Sequence, residues 1–274
     1  MKTILTLLLF GIVLTGRLTA HEFWLWPESF NVTPGGTVRL GLRVGENFTG
    51  EVRPFSAART AALRHVSAAG TRDLLAQVPA APGVDSLDVV LATPGTHILA
   101  YDSQPSTITL EADKFLAYLN EDGLQHVAAA RHAAGQDQQP GRERYQRFVK
   151  TLLLAGAQSD STYAGHTGQR LEIVPVTDPF ATHASSIQFA ILFNGQPLAG
   201  VTVRAWHHEG AKLIDFKAQS DGAGTVTFEL SQAGPWMISV VHMIPLTNVP
   251  GLDWESSWAS LTYSRPEGSR PGGN

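Results

Sequence analysis

Short segments in which polar and apolar residues alternate, separated by turns rich in glycine and proline, recur along most of this chain. Residues 37–44 have this pattern after the turn Pro34-Gly35-Gly36, and residues 86–91 repeat it. Alternation places successive side chains on opposite faces of a strand, so it predicts sheets with one buried face. We therefore expect residues 21–110 to form an antiparallel β-sandwich.

The same pattern returns in the last third of the chain. Asn194-Gly195 is a favoured two-residue hairpin turn, and Ser220-Asp221-Gly222 is a turn signal before another alternating segment. These signals predict a second, Ig-like antiparallel sandwich over residues 170–263. Residues 264–274 are rich in glycine, proline and serine, and we expect them to be a disordered tail.

Residues 111–169, between the two predicted sandwiches, have a different pattern. Apolar residues recur there at helical spacing in two stripes. The first stripe is Phe115, Leu116, Tyr118 and Leu119, and the second is Tyr145, Phe148, Val149 and Leu152. The expected fold is therefore mostly β, with two Ig-like antiparallel β-sandwich domains and a helical connector between them.

The first 20 residues have the three parts of an export signal. Lys2 precedes an apolar run at residues 4–14, and the segment ends with the small residue Ala20. The apolar run is too short to span a bilayer permanently, and cleavage after Ala20 would make His21 the first residue of the mature chain. We expect a periplasmic protein whose mature chain is not inserted into the membrane.

The composition limits the available chemistry. The chain has no cysteine, which excludes disulfides, thiolate metal ligands and a cysteine-linked lipid. Its formal net charge is -4, without a cluster of lysine and arginine, so nucleic acid is not an expected partner. Nucleophile-elbow and phosphate-loop motifs are absent, and His208-Glu209 lacks the second histidine of a zinc-protease helix. We therefore expect a binding protein rather than an enzyme.

Motifs spread over nearly the whole mature chain resemble one family. They are Ala20-His21-Glu22-Phe23-Trp24-Leu25, Val44-Gly45-Glu46, residues 114–119, Glu121-Asp122-Gly123-Leu124, residues 172–175, Val241-His242-Met243 and residues 254–262. In this order they resemble the DUF4198 family of periplasmic proteins, some of which are associated with nickel or cobalt uptake. The resemblance implies a metal-related role beside a membrane metal importer. Residues 194–203 and 221–224 also resemble carboxypeptidase-regulatory and transthyretin-like Ig modules.

A histidine released as the first residue offers two nitrogen ligands at once. The α-amine and the imidazole of His21 can close a six-membered chelate on one metal ion, and an imidazole from elsewhere would supply a third nitrogen. Nitrogen-rich surroundings suit Cu(II) or Ni(II). The nitrogen ligands thus predict copper or nickel, and the resemblance to DUF4198 implies nickel or cobalt, so the expected ligand is a nickel, cobalt or copper ion. Because the precursor lacks the free amine, binding at this chelate would follow export.

Three other histidines are candidates to complete the site. His242 is the first choice, because it follows an apolar strand and belongs to a motif of the family. His97 lies in a strand of the first predicted sandwich. His208 is a candidate from the adjacent pair His207-His208, of which only one can face a given site because neighbouring strand residues point to opposite sides.

Other polar residues have weaker claims, and two other functions stay open. His65, His126 and His132 are expected at the surface, while Glu22 and Glu255 offer oxygen ligands or acceptors for an imidazole N–H. The first alternative function is a structural or adhesive module built from the two sandwiches. The second, less favoured, is an oxidative copper enzyme that uses the amine and imidazole ligands.

Overall fold

A computed structural model describes residues 22–184 and 186–268 of the chain. The predicted signal segment at 1–20, His21 and residues 269–274 of the predicted tail lie outside the described residues. The first strands are β1 (Glu22–Pro27), β2 (Asn31–Val32), β3 (Thr37–Glu46), β4 (Thr49–Arg53), β5 (Thr60–Ser67), β6 (Gly70–Asp73), β7 (Ser86–Val90), β8 (Gly95–Ser103) and β9 (Ser106–Leu110).

Two short helices follow β9 and lead into a long strand. They are α1 (Ala112–Glu121) and α2 (Gln125–Ala133). The strands after them are β10 (Gly141–Ala155), β11 (Leu171–Pro175), β12 (Ser186–Phe193), β13 (Gln196–Pro197), β14 (Thr202–Glu209), β15 (Lys212–Gln219), β16 (Thr225–Glu229), β17 (Gly234–Pro245) and β18 (Trp254–Arg265). The predicted class, mostly β with antiparallel sheets, is confirmed. Within the described residues, neither helix is long and apolar enough to cross a membrane.

The described strands form three sheets, one of which joins both halves of the chain. In the ten-stranded sheet the order is β15-β14-β17-β18-β10-β8-β5-β6, and β2 and β9 also pair with β10. The two four-stranded sheets have the orders β1-β3-β4, with β7 on β3, and β11-β12-β13, with β16 on β12. The halves meet where β10 pairs in parallel with β18, from Glu143 opposite Trp254 to Thr151 opposite Thr262.

Two hydrophobic cores share the ten-stranded sheet. The first core lies between β1, β3 and β7 on one side and β5, β8 and β10 on the other. The second core lies between the sheet of β11, β12 and β16 and strands β14, β17 and β18. Strand β10 contributes to both, because Val149 and Leu153 pack into the first core while Phe148 and Leu152 pack into the second.

The prediction of a helix at the second apolar stripe is wrong. Its apolar stripe of Tyr145, Phe148, Val149 and Leu152 lies in strand β10, so within 111–169 the α-helices occupy only residues 112–121 and 125–133. The physical reason is the burial of β10 on both faces. A strand covered on both sides has a nearly continuous apolar sequence, which periodicity alone does not separate from a buried helix.

The chain stays ordered into the predicted tail. Strand β18 continues through Ser264 and Arg265, so the expectation of disorder is wrong for these two residues. Arg265 is buried, and its guanidinium donates a 2.5 Å hydrogen bond to the carbonyl oxygen of Ala184. This bond fixes the end of the strand against the loop before β12.

Candidate functional site

Strand β1 begins directly after the predicted cleavage position, and its two faces have different surroundings. Leu25 packs into the first core. On the other face, Trp24 packs with Phe48, Trp206 and Met237. Because β1 is held on both faces, Glu22 at its first position is held in a defined place.

The carboxyl group of Glu22 is buried at the start of β1, with 9% of the residue exposed. Burial raises its pKa to about 7, and a backbone hydrogen bond and the charge of Arg204 only partly offset this effect. The carboxylates of Glu121 and Glu46 raise the pKa further. Arg204 is itself bound to Asp215 at 2.7 Å, so its charge is shared. A second cation near Glu22 would favour its ionised form.

A second carboxyl group, that of Asp122, lies in the turn between α1 and α2. It is buried, and its Oδ2 atom has no hydrogen-bond partner among the described residues. Burial raises the pKa of Asp122 well above its ordinary value, and the charges of Glu22 and Glu121 add to this. The next residue, Gly123, has φ +74° and lies against Thr202, where any side chain would collide. The turn that carries Asp122 is therefore fixed against β14.

Glu22 and Asp122 line one small recess. Ser239 and Trp258 are also among its lining residues, and its volume is about 20 Å³. A space of this size holds a single water molecule or a desolvated ion. An unpartnered carboxylate oxygen beside a space for one atom is the arrangement that a cation would satisfy.

A third buried carboxyl group, that of Glu143, lies near this recess but is already hydrogen-bonded. Tyr118 donates to it at 3.3 Å, and Ser256 also donates to it. Burial raises the pKa of Glu143, and these hydrogen bonds oppose the rise. Its charge in turn helps to raise the pKa of Asp122. Glu143 therefore adds negative charge to the surroundings of Asp122, while its Oε1 atom is engaged by Tyr118 and Ser256.

The structure places His97 in a buried pair with His65. His97 Nε2 donates to the carbonyl oxygen of Thr93 at 2.8 Å, so its Nδ1 accepts from His65 Nε2, also at 2.8 Å. Both ring nitrogens of His97 are therefore occupied. The expectation that His65 is a surface residue is wrong, because it is 4% exposed. Burial, with His97 and Arg72, lowers the pKa of His65 to about 4.

His242 lies against His126 rather than against another candidate ligand. The two rings stack with centroids 6.3 Å apart, and Phe193 packs edge-on against His242 at 4.6 Å. Burial, helped by His126 and Arg170, lowers the pKa of His242 to about 4. Its Nδ1 is buried without a partner among the described residues. His126 is exposed, as predicted, and bonds the carbonyl oxygen of Met243 at 3.0 Å.

His208, in strand β14, contacts the turn between β3 and β4. Its Nε2 donates to the carbonyl oxygen of Asn47 at 2.8 Å, and its ring stacks on Phe48. The neighbouring His207 pairs with Trp236, six positions before His242 on β17. Six residues of a strand span about 20 Å, so His208 and His242 cannot share one ion.

The structure does not bring the predicted histidines together. Within residues 22–184 and 186–268, no three His, Asp or Glu side chains form a group that could hold a metal ion. Glu255 is also engaged, since it binds Arg144 at 2.7 Å and Arg170 at 2.8 Å. Of the predicted ligands, His21 lies outside the described residues, and Glu22 lines the recess beside Asp122. Its partner Asp122 was not predicted as a ligand, because 100 residues separate the two in the chain.

Comparison with protein families identifies the family of the chain. Residues 18–244 match the family described as "Domain of unknown function (DUF4198)". The chain belongs to the DUF4198 family. The match begins before β1 and extends to residue 244 in β17, so it includes Glu22, Asp122 and Glu143. No curated protein matches the chain.

Three solved structures share only weak likeness with this DUF4198 chain. A tetra-tandem repeat in the extending region of a large adhesion protein has 9% identity and a TM-score of 0.23, and the alignment covers 90% of this chain and 50% of that one. Dimeric latent PorU from Porphyromonas gingivalis has 12% identity, a TM-score of 0.21 and coverages of 94% and 21%. Three N-terminal domains of the bacteriophage RB49 Highly Immunogenic Outer Capsid protein have 11% identity, a TM-score of 0.19 and coverages of 90% and 59%. The chain thus spans less than two thirds of each of these chains.

Proposed function

We propose that the processed chain is a periplasmic binding protein for a nickel, cobalt or copper ion, and that it delivers this ion to a membrane importer. The observation that carries the proposal is the recess at the start of β1. There the buried carboxyl groups of Glu22 and Asp122 face a space for one atom, and Asp122 Oδ2 has no partner among the described residues. Glu22 follows His21 directly in the sequence.

Covalent geometry links the recess to the chelate expected from His21. Consecutive Cα atoms are about 3.8 Å apart, so the amine and imidazole released by cleavage remain one residue from Glu22. Two nitrogens from His21 and carboxylate oxygens from Glu22 and Asp122 make a mixed nitrogen and oxygen donor set. Imidazole suits Ni, Cu and related divalent ions, and the carboxylates contribute charge compensation.

The charge of the ion would remove an electrostatic cost that the protein otherwise carries. Near neutral pH, the raised pKa values show that burial opposes ionisation of Glu22 and Asp122. A divalent cation favours their ionised forms, so binding is accompanied by proton release. The proposal therefore requires affinity that increases with pH through the range in which Glu22 ionises.

Calorimetry on the exported, processed chain tests the proposal with Ni(II), Co(II) and Cu(II) in turn. We expect one of these ions to bind with a Kd below about 10 μM. One additional alanine in front of His21 converts the amine into an amide and should abolish this affinity. Glu22→Gln and Asp122→Asn should each weaken binding, because each removes a charged oxygen donor beside the chelate.

The matched control is Asp113→Asn, which removes a carboxylate from the exposed part of α1. It should leave affinity unchanged. Equal affinity with and without the additional alanine would contradict the chelate, and so would an exported chain whose first residue is not His21. Unchanged affinity in both Glu22→Gln and Asp122→Asn would contradict the role of the recess.

A further inference from the structure

A cleft of about 640 Å³ opens between strands β3 and β4 on one side and β8 and β10 on the other. Small-molecule sites have volumes of about 300 to 1,000 Å³, so this cleft is of suitable size. Phe23 of β1 lines it. Phe23 also lines the recess of Glu22, so the cleft adjoins the proposed metal site, but neither Glu22 nor Asp122 is among the residues that line the cleft.

Arg147 of β10 presents its guanidinium group in this cleft. The guanidinium carbon lies 5.1 Å from the ring centroid of Phe23 and 4.8 Å from that of Tyr145. Its Nε atom is buried and has no hydrogen-bond partner among the described residues. Stacking on aromatic faces leaves the in-plane N–H groups of a guanidinium available to an oxygen acceptor.

Arg147 differs from the other two arginines of β10, which both bind carboxylates. Arg142 binds Asp253 through its Nη2 at 2.5 Å, and Arg144 binds Glu255 at 2.7 Å. Arg147 has no ion pair with any Asp or Glu of the described residues. The charge of Arg147 lowers the pKa of Glu143, but the two side chains form no salt bridge, so an anionic ligand would supply the direct partner that Arg147 lacks.

The cleft carries more positive than negative groups. Arg53 of β4 and Arg59, which precedes β5, line it together with Arg147, whereas Glu46 and Glu51 are its acidic residues. Neither Arg53 nor Arg59 forms an ion pair with a described residue. The hydroxyl of Tyr101 donates to the carbonyl oxygen of Arg59 at 2.9 Å, which fixes the backbone beneath this arginine.

We propose that this cleft binds a small organic anion through a carboxylate or phosphate group. The anionic group accepts hydrogen bonds from the guanidinium of Arg147, and Arg53 and Arg59 add attraction. The planar guanidinium group of arginine can donate two parallel hydrogen bonds to the oxygens of either a carboxylate or a phosphate, so both groups fit the site. The organic part of the ligand lies along the apolar lining that includes Leu42 and Val44.

Three probes of similar size test the proposal on the full processed chain by ligand-observed NMR and calorimetry. Benzoate represents carboxylates, phenyl phosphate represents phosphates, and benzamide is the neutral control. We expect at least one anion to bind with a Kd below about 10 mM and to bind more weakly as salt is added, because the attraction is electrostatic. The tighter anion identifies the favoured group. Binding of neither anion, or equal binding of benzamide, would overturn the proposal.

Substitution of the arginine locates the site. Arg147→Gln should weaken anion binding at least about tenfold, since a charged bidentate contact is lost. Arg147→Lys should also weaken it, because lysine keeps the charge but not the planar guanidinium group. Arg39→Gln on the exposed face of β3 is the matched control and should bind like the unsubstituted chain. Unchanged affinity in Arg147→Gln would overturn the assignment.

A second pair of variants keeps the test decisive if Arg147→Gln does not fold. Arg53 and Arg59 are exposed, so Arg53→Gln and Arg59→Gln should fold and should each weaken binding. Unchanged affinity in both would contradict the proposal. The chain with an additional alanine before His21 should still bind the anion, so failure of the metal proposal and failure of the anion proposal give different results.

Discussion

The hydroxyl of Ser260 donates a 2.8 Å hydrogen bond to the main-chain carbonyl oxygen of Phe23. Thr262, two residues later in β18, donates to the carbonyl oxygen of Leu25 at the same distance. Strand β1 pairs with β3 along one edge. The two hydroxyl groups come from β18, which is not paired with β1, and they donate to carbonyl oxygens of β1. The last strand of the chain therefore helps to position the residues that follow the predicted cleavage site.

Thr262→Val tests this contact. Valine keeps the shape of threonine but leaves the buried carbonyl oxygen of Leu25 without this donor, so the free energy of unfolding should fall by about 1 to 3 kcal/mol. Urea denaturation measures the change. Thr107→Val, on the exposed part of β9, should change stability by less than about 0.5 kcal/mol. Equal stability of Thr262→Val and the unsubstituted chain would show that the hydroxyl is not needed.

Glu22 should make stability depend on pH between its unfolded and folded pKa values. Its pKa rises from 4.5 to about 7 on folding, so the folded chain holds this proton more tightly. The stability linked to this proton is complete below pH 4.5 and is lost as the pH rises through 7, by about 3 kcal/mol for an isolated group.

Glu22→Gln should remove this dependence, because the amide stays neutral. Without metal, the gain in stability of the variant relative to the unsubstituted chain should be about 2 kcal/mol larger at pH 8.5 than at pH 5.5, as measured by urea denaturation. Glu229→Gln, at an exposed position of β16, is the control and should retain the original pH profile. A parallel pH profile for Glu22→Gln would contradict a raised pKa.

His65 should make the stability of the chain depend on pH in the opposite direction. Its pKa falls from 6.5 to about 4 on folding, so the unfolded chain binds this proton more tightly. The corresponding stability is present above pH 6.5 and is lost as the pH falls towards 4, by about 3 kcal/mol. His65→Gln should therefore lose less stability than the unsubstituted chain between pH 7.5 and 5. His183→Gln, at an exposed loop position, should not differ from the unsubstituted chain in this respect.

A buried ion pair links β10 to β11. Lys150 Nζ lies 2.9 Å from Glu172 Oε1, and the two side chains are 1% and 3% exposed. Lys150→Met should destabilise the chain by about 3 to 5 kcal/mol, because it leaves a buried carboxylate with the hydrogen bonds from Thr167 and the more distant imidazole of His166, 3.9 Å away. The double variant Lys150→Met/Glu172→Leu should recover part of this loss in denaturation experiments.

The exposed pair of Arg39 and Glu28 provides the comparison for this prediction. Their closest charged atoms are 3.9 Å apart, and both side chains are mostly exposed. Arg39→Met should therefore cost less than about 1 kcal/mol. A double variant at Lys150 and Glu172 that is no more stable than Lys150→Met would contradict the explanation by an unpaired charge.

Local patterns predicted the strands better than they predicted the segment shared by both cores. Residues 37–44 and 86–91 alternate because each strand has one buried face, and both lie in observed strands. Strand β10 does not alternate in this way because Val149 and Phe148 are buried on opposite sides. The nearly continuous apolar sequence of this segment led to the prediction of a helix. A central strand between two cores requires the same kind of sequence.

The sequence by itself determined the strand-rich class, and it is the only source of the predicted chelate at His21, because alternation and covalent chemistry are local properties. Tertiary structure alone decided which polar groups meet. Glu22 lies beside Asp122, and Arg147 lies between Phe23 and Tyr145, although many residues separate most of these positions in the chain. Burial raises the pKa of Glu22 and removes solvent from Arg147 Nε, and burial depends on packing between distant strands rather than on neighbouring residues.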